Sequence, residues 1–213
     1  MLRFFHFIAA ILALSFSASV AAKAPTSDYA GDDGGYLVYS VGTIRIGMDF
    51  GFPYRRIAAP DGSAVDDSKG EIEPKLGGAF TLKIKKPDFT GVETGHVVAR
   101  RLPPGRYVIE NFAFGGQSPG GGSVLWSSEK PFRIEFVVRP GQTTYIGSFM
   151  RSPSFGTPLQ AQLGAAGFFV VSDQSARDLP IARARVAGLP PVTGQVTDVD
   201  TLGSLALRSR LPE

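Results

Sequence analysis

Residues 132–149 read FRIEFVVRPGQTTYIGSF, and their pattern decides the fold class. Phe132, Ile134, Phe136 and Val138 alternate with Arg133, Glu135 and Val137. Successive side chains of a strand point to opposite faces, so a period of two puts the four apolar residues on one buried face. Pro140-Gly141 is a turn with a mechanism: proline presets φ and glycine accepts positive φ. Gln142 to Phe149 is then the returning strand, and the two strands are expected to pair as a hairpin.

The reading extends outward from there. Tyr36 to Ile46 (YLVYSVGTIRI) is rich in β-branched and aromatic residues and reads as a strand. Phe50 to Ala58 follows with Pro53 inside it, and a proline cannot donate to a ladder, so an edge or bulged strand is expected. Pro60-Asp61-Gly62-Ser63 marks a turn, and charged Val65 to Gly78 reads as loop. Phe80, Leu82 and Ile84 alternate with Thr81, Lys83 and Lys85. His96 to Leu102 and Arg106 to Phe114 are strands separated by Pro103-Pro104-Gly105. Gly115 to Ser123 (GGQSPGGGS) is a glycine-rich loop tip, followed by Val124 to Ser127 with the only tryptophan, Trp126. Phe155 to Leu163 and Ala166 to Ser172 complete about eight to ten short strands, the pattern of an all-β sandwich.

Composition agrees with that class. In 213 residues, 43% are apolar and 19% charged, enough to exclude a disordered chain. The absence of cysteine excludes disulfides, thiol nucleophiles, iron–sulfur clusters and cysteine-ligated zinc. A net charge of +3 comes from 22 cations against 19 anions, too small a margin to argue for nucleic acid.

The two ends differ from the middle. Arg3, the apolar stretch Phe4 to Leu14 and the small residues Val20-Ala21-Ala22 have the form of a secretory signal peptide, expected over residues 1–22 with cleavage after Ala22. The apolar stretch is shorter than the ~20 residues a spanning helix needs, so no transmembrane helix is expected in the mature chain. No cysteine follows it, which excludes a lipoprotein. A periplasmic or secreted location follows as the expectation. Residues 23–35 read as a flexible lead-in, 36–172 as the sandwich, 173–188 as a helical segment and 189–213 as a tail. Asp173 is placed to cap the helix, and Pro180 is expected to kink or split it.

Two stretches carry a resemblance. Leu102-Pro103-Pro104-Gly105-Arg106-Tyr107-Val108 and Phe136-Val137-Val138-Arg139-Pro140-Gly141-Gln142-Thr143-Thr144-Tyr145-Ile146-Gly147 resemble the proline-glycine turn and strand elements of transthyretin-like, or carboxypeptidase regulatory-like, domains. These are immunoglobulin-like β-sandwiches found in exported bacterial proteins. The resemblance implies an immunoglobulin-like or transthyretin-like sandwich, here with a short C-terminal helix and tail. The hydroxyisourate hydrolase branch uses several histidines and a C-terminal Tyr-Arg-Gly-Ser; neither is present, so the resemblance assigns no catalytic residue.

Candidate chemistry is sparse. His96 is the one histidine after the leader, so a two-histidine metal site is excluded there. No G-x-S-x-G elbow surrounds a serine. Asp32-Asp33, Asp66-Asp67 and Asp198-Val199-Asp200 read as solvated turn residues, with adventitious calcium the alternative. The glycine-rich loop lacks Gly-Lys-Ser/Thr and so is no phosphate cradle. Loops on a rigid sandwich are common contact sites, which makes Gly115, Gln117, Gly121 and Trp126 the candidate binding loop. Arg55-Arg56, Lys85-Lys86 and Arg100-Arg101, with Lys83, Arg133 and Arg139, suggest a weak membrane-surface contact or simply solvated cations. The expected function is that of an exported, non-enzymatic envelope accessory or binding protein whose partner is a protein or a glycan, with no cofactor and no metal. The alternative is a hydrolase acting on an envelope polymer through carboxylates or His96.

Overall fold

A computed structural model describes residues 29–44, 50–65, 69–72, 86–117, 123–127, 132–153, 167–194, 196–204 and 206–211. The expected signal peptide, Asp66-Asp67, the strand from Phe80 and the strand from Phe155 lie outside the described residues. The rest is mostly β, arranged as two sheets with one helix.

Sheet one is built around β1 (Gly35–Ile44), whose residues alternate between two covered faces. It pairs antiparallel with β4 (Glu93–Leu102) and parallel with β9 (Thr143–Pro153). β10 (Gly167–Ser172) runs antiparallel beside β9, and β12 (Leu207–Arg208) closes the row. β11 (Val192–Thr193) pairs with the start of β9. The segment read as a tail therefore supplies two short strands to this sheet.

Sheet two is centred on β2 (Phe50–Ala58), and its described pairings are antiparallel. β2 has β3 (Lys69–Ile72) on one side, and β5 (Gly105–Ile109) and β6 (Ala113–Gln117) in tandem on the other. β8 (Ile134–Val138) follows β5, and β7 (Ser123–Ser127) follows β6. β2 is thus interior, correcting the edge expectation, although it carries a bulge between Arg56 and Ala58. On the β5/β6 side, pairing with β6 ends at Gly51 and pairing with β5 begins at Tyr54, so Pro53 meets a gap there, while on the other side it lies in register with Glu71 of β3. β3 corrects the loop read over Val65 to Gly78: Ile72 anchors a strand too short and too charged at its flanks to show a period.

The expected hairpin does not form. β8 lies in sheet two and β9 in sheet one, and the turn between them carries the chain from one sheet to the other. Gly141, at φ 60°, makes that turn, and its N–H donates to the Gly34 carbonyl while Tyr36 N–H donates to the Gln142 carbonyl. The turn is stitched to β1 instead of closing a ladder of its own. Alternation chose the inward face of β8 correctly: Ile134, Phe136 and Val138 share one core with Ile146 and Phe149 of β9.

That core lies between the sheets. Phe52 sits among Phe169, Phe149, Phe50 and Phe112 at centroid distances of 4.6, 5.1, 6.1 and 6.1 Å. Tyr107 and Phe136 stack at 5.2 Å. Each such side chain contributes about 1.5–3 kcal/mol on burial, which must offset chain entropy.

The helix α1 (Ser175–Arg185) lies on the outer face of sheet one, burying Asp178 and Ala182, four residues apart on one face. Pro180 lies inside one continuous helix, correcting the expected break. Asp173 helps start it: its carboxylate accepts the Ser175 N–H at 2.8 Å.

Candidate functional site

The most concentrated polar chemistry among the described residues lies beneath α1. A bulge creates it. Val38 of β1 sits opposite Tyr145, but Ser40 sits opposite Ser148, so β9 carries one residue more than β1 across this interval. Gly147, at φ 111°, takes up the extra residue, a conformation glycine adopts without strain. The bulge turns both Tyr145 and Ser148 toward the helix, where strict alternation would have placed them on opposite faces.

Asp178 is the hub, with 0% of its surface exposed. Its Oδ2 accepts the Ser40 hydroxyl at 2.6 Å and the Tyr145 hydroxyl at 2.8 Å. Its Oδ1 accepts Arg177 Nε at 2.8 Å. The Arg177 guanidinium also donates to Glu93 at 2.6 Å, to Ser40 Oγ at 3.1 Å and to Ser148 Oγ at 3.2 Å. It lies 3.7 Å from the centre of the Phe89 ring, a cation–π contact. Gln174 N–H donates to the Tyr145 hydroxyl oxygen at 3.1 Å, tying the helix start to β9.

The electrostatics follow from this packing. Burial, then the charge of Asp178, pushes the Tyr145 hydroxyl well above the ordinary tyrosine pKa, so it stays a donor. Burial opposes the charge of Arg177, but its bonds to Asp178 and Glu93 outweigh that and raise its pKa. A buried carboxylate is tolerated only when its lone pairs are used, and here they are. Solvent reaches neither Ser40 nor Asp178, and the hydroxyl proton is spent on the carboxylate. This arrangement holds a helix on a sheet.

A second group lies at the edge of the same sheet. Asp88 Oδ2 accepts the Val97 N–H at 2.8 Å, and Arg185 donates to both Asp88 and the Val97 carbonyl. His96 is 4% exposed, with Nδ1 3.7 Å from Asp88 Oδ2.

The residues singled out from sequence fall elsewhere. Gly115 and Gln117 are strand residues of β6, so the glycine-rich tip is shorter than expected. Phe114 is paired with Trp126, Gly115 with Leu125 and Gln117 with Ser123. Gly121 lies outside the described residues. The structure brings Gly115, Gln117 and Trp126 together on one hairpin of sheet two, whereas His96 lies on β4 of sheet one. Asp198 accepts the Asp200 N–H at the start of a short 3-10 turn, and Asp200 accepts both the N–H and the hydroxyl of Ser209. Those bonds, the hydroxyl first, hold the Asp200 carboxyl below its ordinary pKa. Asp33 accepts the Tyr29 hydroxyl at 2.7 Å. Among the described residues, no three histidine, aspartate or glutamate side chains gather as a metal site.

The cations named as a membrane-facing set are partly neutralised. Glu110 pairs with Arg55 and Arg133, and Glu135 with Arg133 and Arg106, on the outer face of sheet two. Lys83 and Lys85 lie outside the described residues. No described helix is long and apolar enough to cross a membrane.

Sequence reading missed Ser40, Glu93, Tyr145, Ser148, Arg177 and Asp178. Its one available signal was a serine inside the apolar run Leu37 to Val41, facing an Arg177-Asp178 pair in an alanine-rich helix. No family model matches the chain, and no curated protein or solved structure is significantly similar to it.

Proposed function

We propose that the chain is an exported, non-enzymatic accessory protein of the cell envelope. Its body is read as an immunoglobulin-like or transthyretin-like sandwich, and its partner as an envelope protein or glycan. The observation that carries this reading is how the described ionisable groups are used. Asp178, Arg177 and Glu93 hold a helix; Asp88 and Arg185 cover a strand edge; Glu110 and Glu135 balance three arginines. Groups committed to structural bonds are not poised to transfer protons to a substrate. Export is supported by the leader-like residues 1–22. The sandwich type is supported by Tyr107, whose hydroxyl donates to the Pro103 carbonyl at 2.7 Å, four residues upstream. A tyrosine bonded back in this way recurs in Greek-key sandwiches. The contact region is read as the β6–β7 hairpin, carrying Gln117 and Trp126.

The test expresses the full chain in a bacterial host and fractionates the cells. A photo-reactive residue at position 117 then cross-links whatever the hairpin touches. The expected result is an envelope-located chain beginning at Lys23, cross-linked to one defined envelope protein or glycan. A cytosolic chain that retains Met1, or a purified chain that releases soluble fragments from envelope polymer, overturns the reading.

A further inference from the structure

We propose that Asp88 and Arg185 together form a clasp that closes the edge of β4 that no described strand covers and keeps it from pairing with the β4 of a second copy of the chain. β4 is ten residues long, and among the described residues β1 is the only strand that pairs with it, along one side. An edge of this length presents a row of backbone donors and acceptors, a template for another strand.

Along an antiparallel strand, alternate residues send both backbone groups to the same side. On β4 the residues whose backbone groups face away from β1 are Gly95, Val97 and Arg101, as their outward partners show, and by alternation Ala99. Gly95 accepts the Asp88 N–H at 2.9 Å and donates to the Phe89 carbonyl at 3.2 Å. The Arg101 carbonyl accepts the Tyr29 N–H at 2.9 Å. Backbone from two other segments thus covers the two ends of the edge.

The middle is covered by side chains. The Asp88 carboxylate takes the Val97 N–H as a neighbouring strand's carbonyl would. The Arg185 guanidinium, from the last turn of α1, gives a proton to the Val97 carbonyl as a strand's N–H would. The two side chains also pair with each other, so one carboxylate and one guanidinium stand in for a peptide group. The close fold-back of residues 88–95 makes this reach possible: a Cβ on Gly95 would lie 2.7 Å from the Phe89 ring and 2.2 Å from the Val41 carbonyl oxygen.

The strand that the clasp excludes is another β4. Two copies of one edge meet antiparallel about a two-fold axis, and such an isologous contact needs no other sequence. The axis falls near Ala99, midway between Val97 and Arg101.

The test measures molar mass against concentration for the native chain and for the double substitution Asp88→Ala with Arg185→Ala, by chromatography with light scattering. The native chain is expected to stay monomeric. The double variant is expected to pair, its half-pairing concentration lowered by about tenfold or more. Adding Ala99→Pro, which removes an edge-facing donor, returns it to the monomer. A double variant that is monomeric with a native circular dichroism spectrum overturns the proposal, as does association insensitive to Ala99→Pro. A native chain that already pairs in an Ala99→Pro-sensitive way overturns it equally. Should the double variant not fold, Arg185→Gln alone is read by the same criteria.

Discussion

The outer faces of the two sheets use the same chemistry, arginine with carboxylate, at opposite depths. Under α1, Arg177 meets a fully buried Asp178, and two hydroxyls complete the carboxylate's bonds. On sheet two, Arg55, Glu110, Arg133, Glu135 and Arg106 form a ladder in water, with the Glu135 side chain 38% exposed. Below this canopy Val108 is 1% exposed, so the arginine stems add apolar cover to an open face. Buried charge fixes geometry because any misplaced partner leaves an unpaired ion in a low-dielectric site. Exposed charge does little for stability, because water and salt replace the partner. The first face can specify where a helix sits; the second keeps a sheet soluble.

The largest effect expected from breaking this comparison is at the hub. Asp178→Ala leaves Arg177, Ser40 and Tyr145 without their shared acceptor and should cost about 3–5 kcal/mol in chemical denaturation, little changed by salt. A loss under about 1 kcal/mol would place the seam beside the exposed ladder in strength.

A smaller effect sharpens the same face. Tyr145→Phe removes one hydroxyl bond and should cost about 1 kcal/mol. Burial raises the folded pKa of Tyr145 above its ordinary value of 10.0. Its contribution is therefore complete below the unfolded pKa and is lost as pH climbs past it. Stability measured from pH 9 to 11 should fall more steeply for the native chain than for Tyr145→Phe. Equal slopes would remove Tyr145 from the account.

The smallest effect belongs to the open face. Glu135→Gln should cost well under about 1 kcal/mol, and the difference should vanish in molar salt. The hydrogen bond from Arg106, then that from Arg133, holds the Glu135 carboxyl below its ordinary value of 4.5. Its contribution is present above that value and fades as pH falls through the depressed one, so any difference between native and variant closes in acid. A salt-independent loss as large as that at Asp178 would erase the distinction between the two faces.

The inward sets were legible because alternation is local. Phe132 to Val138 and the Pro60–Ser63 turn could be read from neighbours alone; in that turn the Asp61 carboxylate holds the Ser63 N–H and hydroxyl. The single strand read over Arg106 to Phe114 is instead broken between β5 and β6. The destination of β9 was not legible. A strand with one apolar face packs equally well beside β8 or across the core from it, and the choice rests on the stitching of Gly141 and Tyr36 to residues distant in sequence. Gly147 inside a strand pattern was a hint of a bulge, but its consequence depends on what covers the sheet.

By itself, the order of residues determined a β-rich, cysteine-free chain with a leader-like N-terminus and a helix starting near Asp173, because each of these depends on composition or on contacts a few residues apart. Tertiary structure alone decided which strands pair, that the last residues return to the sheet, and that Ser40, Tyr145 and Asp178 converge. Those features join residues up to 138 positions apart, where no local period reaches and only burial and hydrogen-bond satisfaction choose the partner.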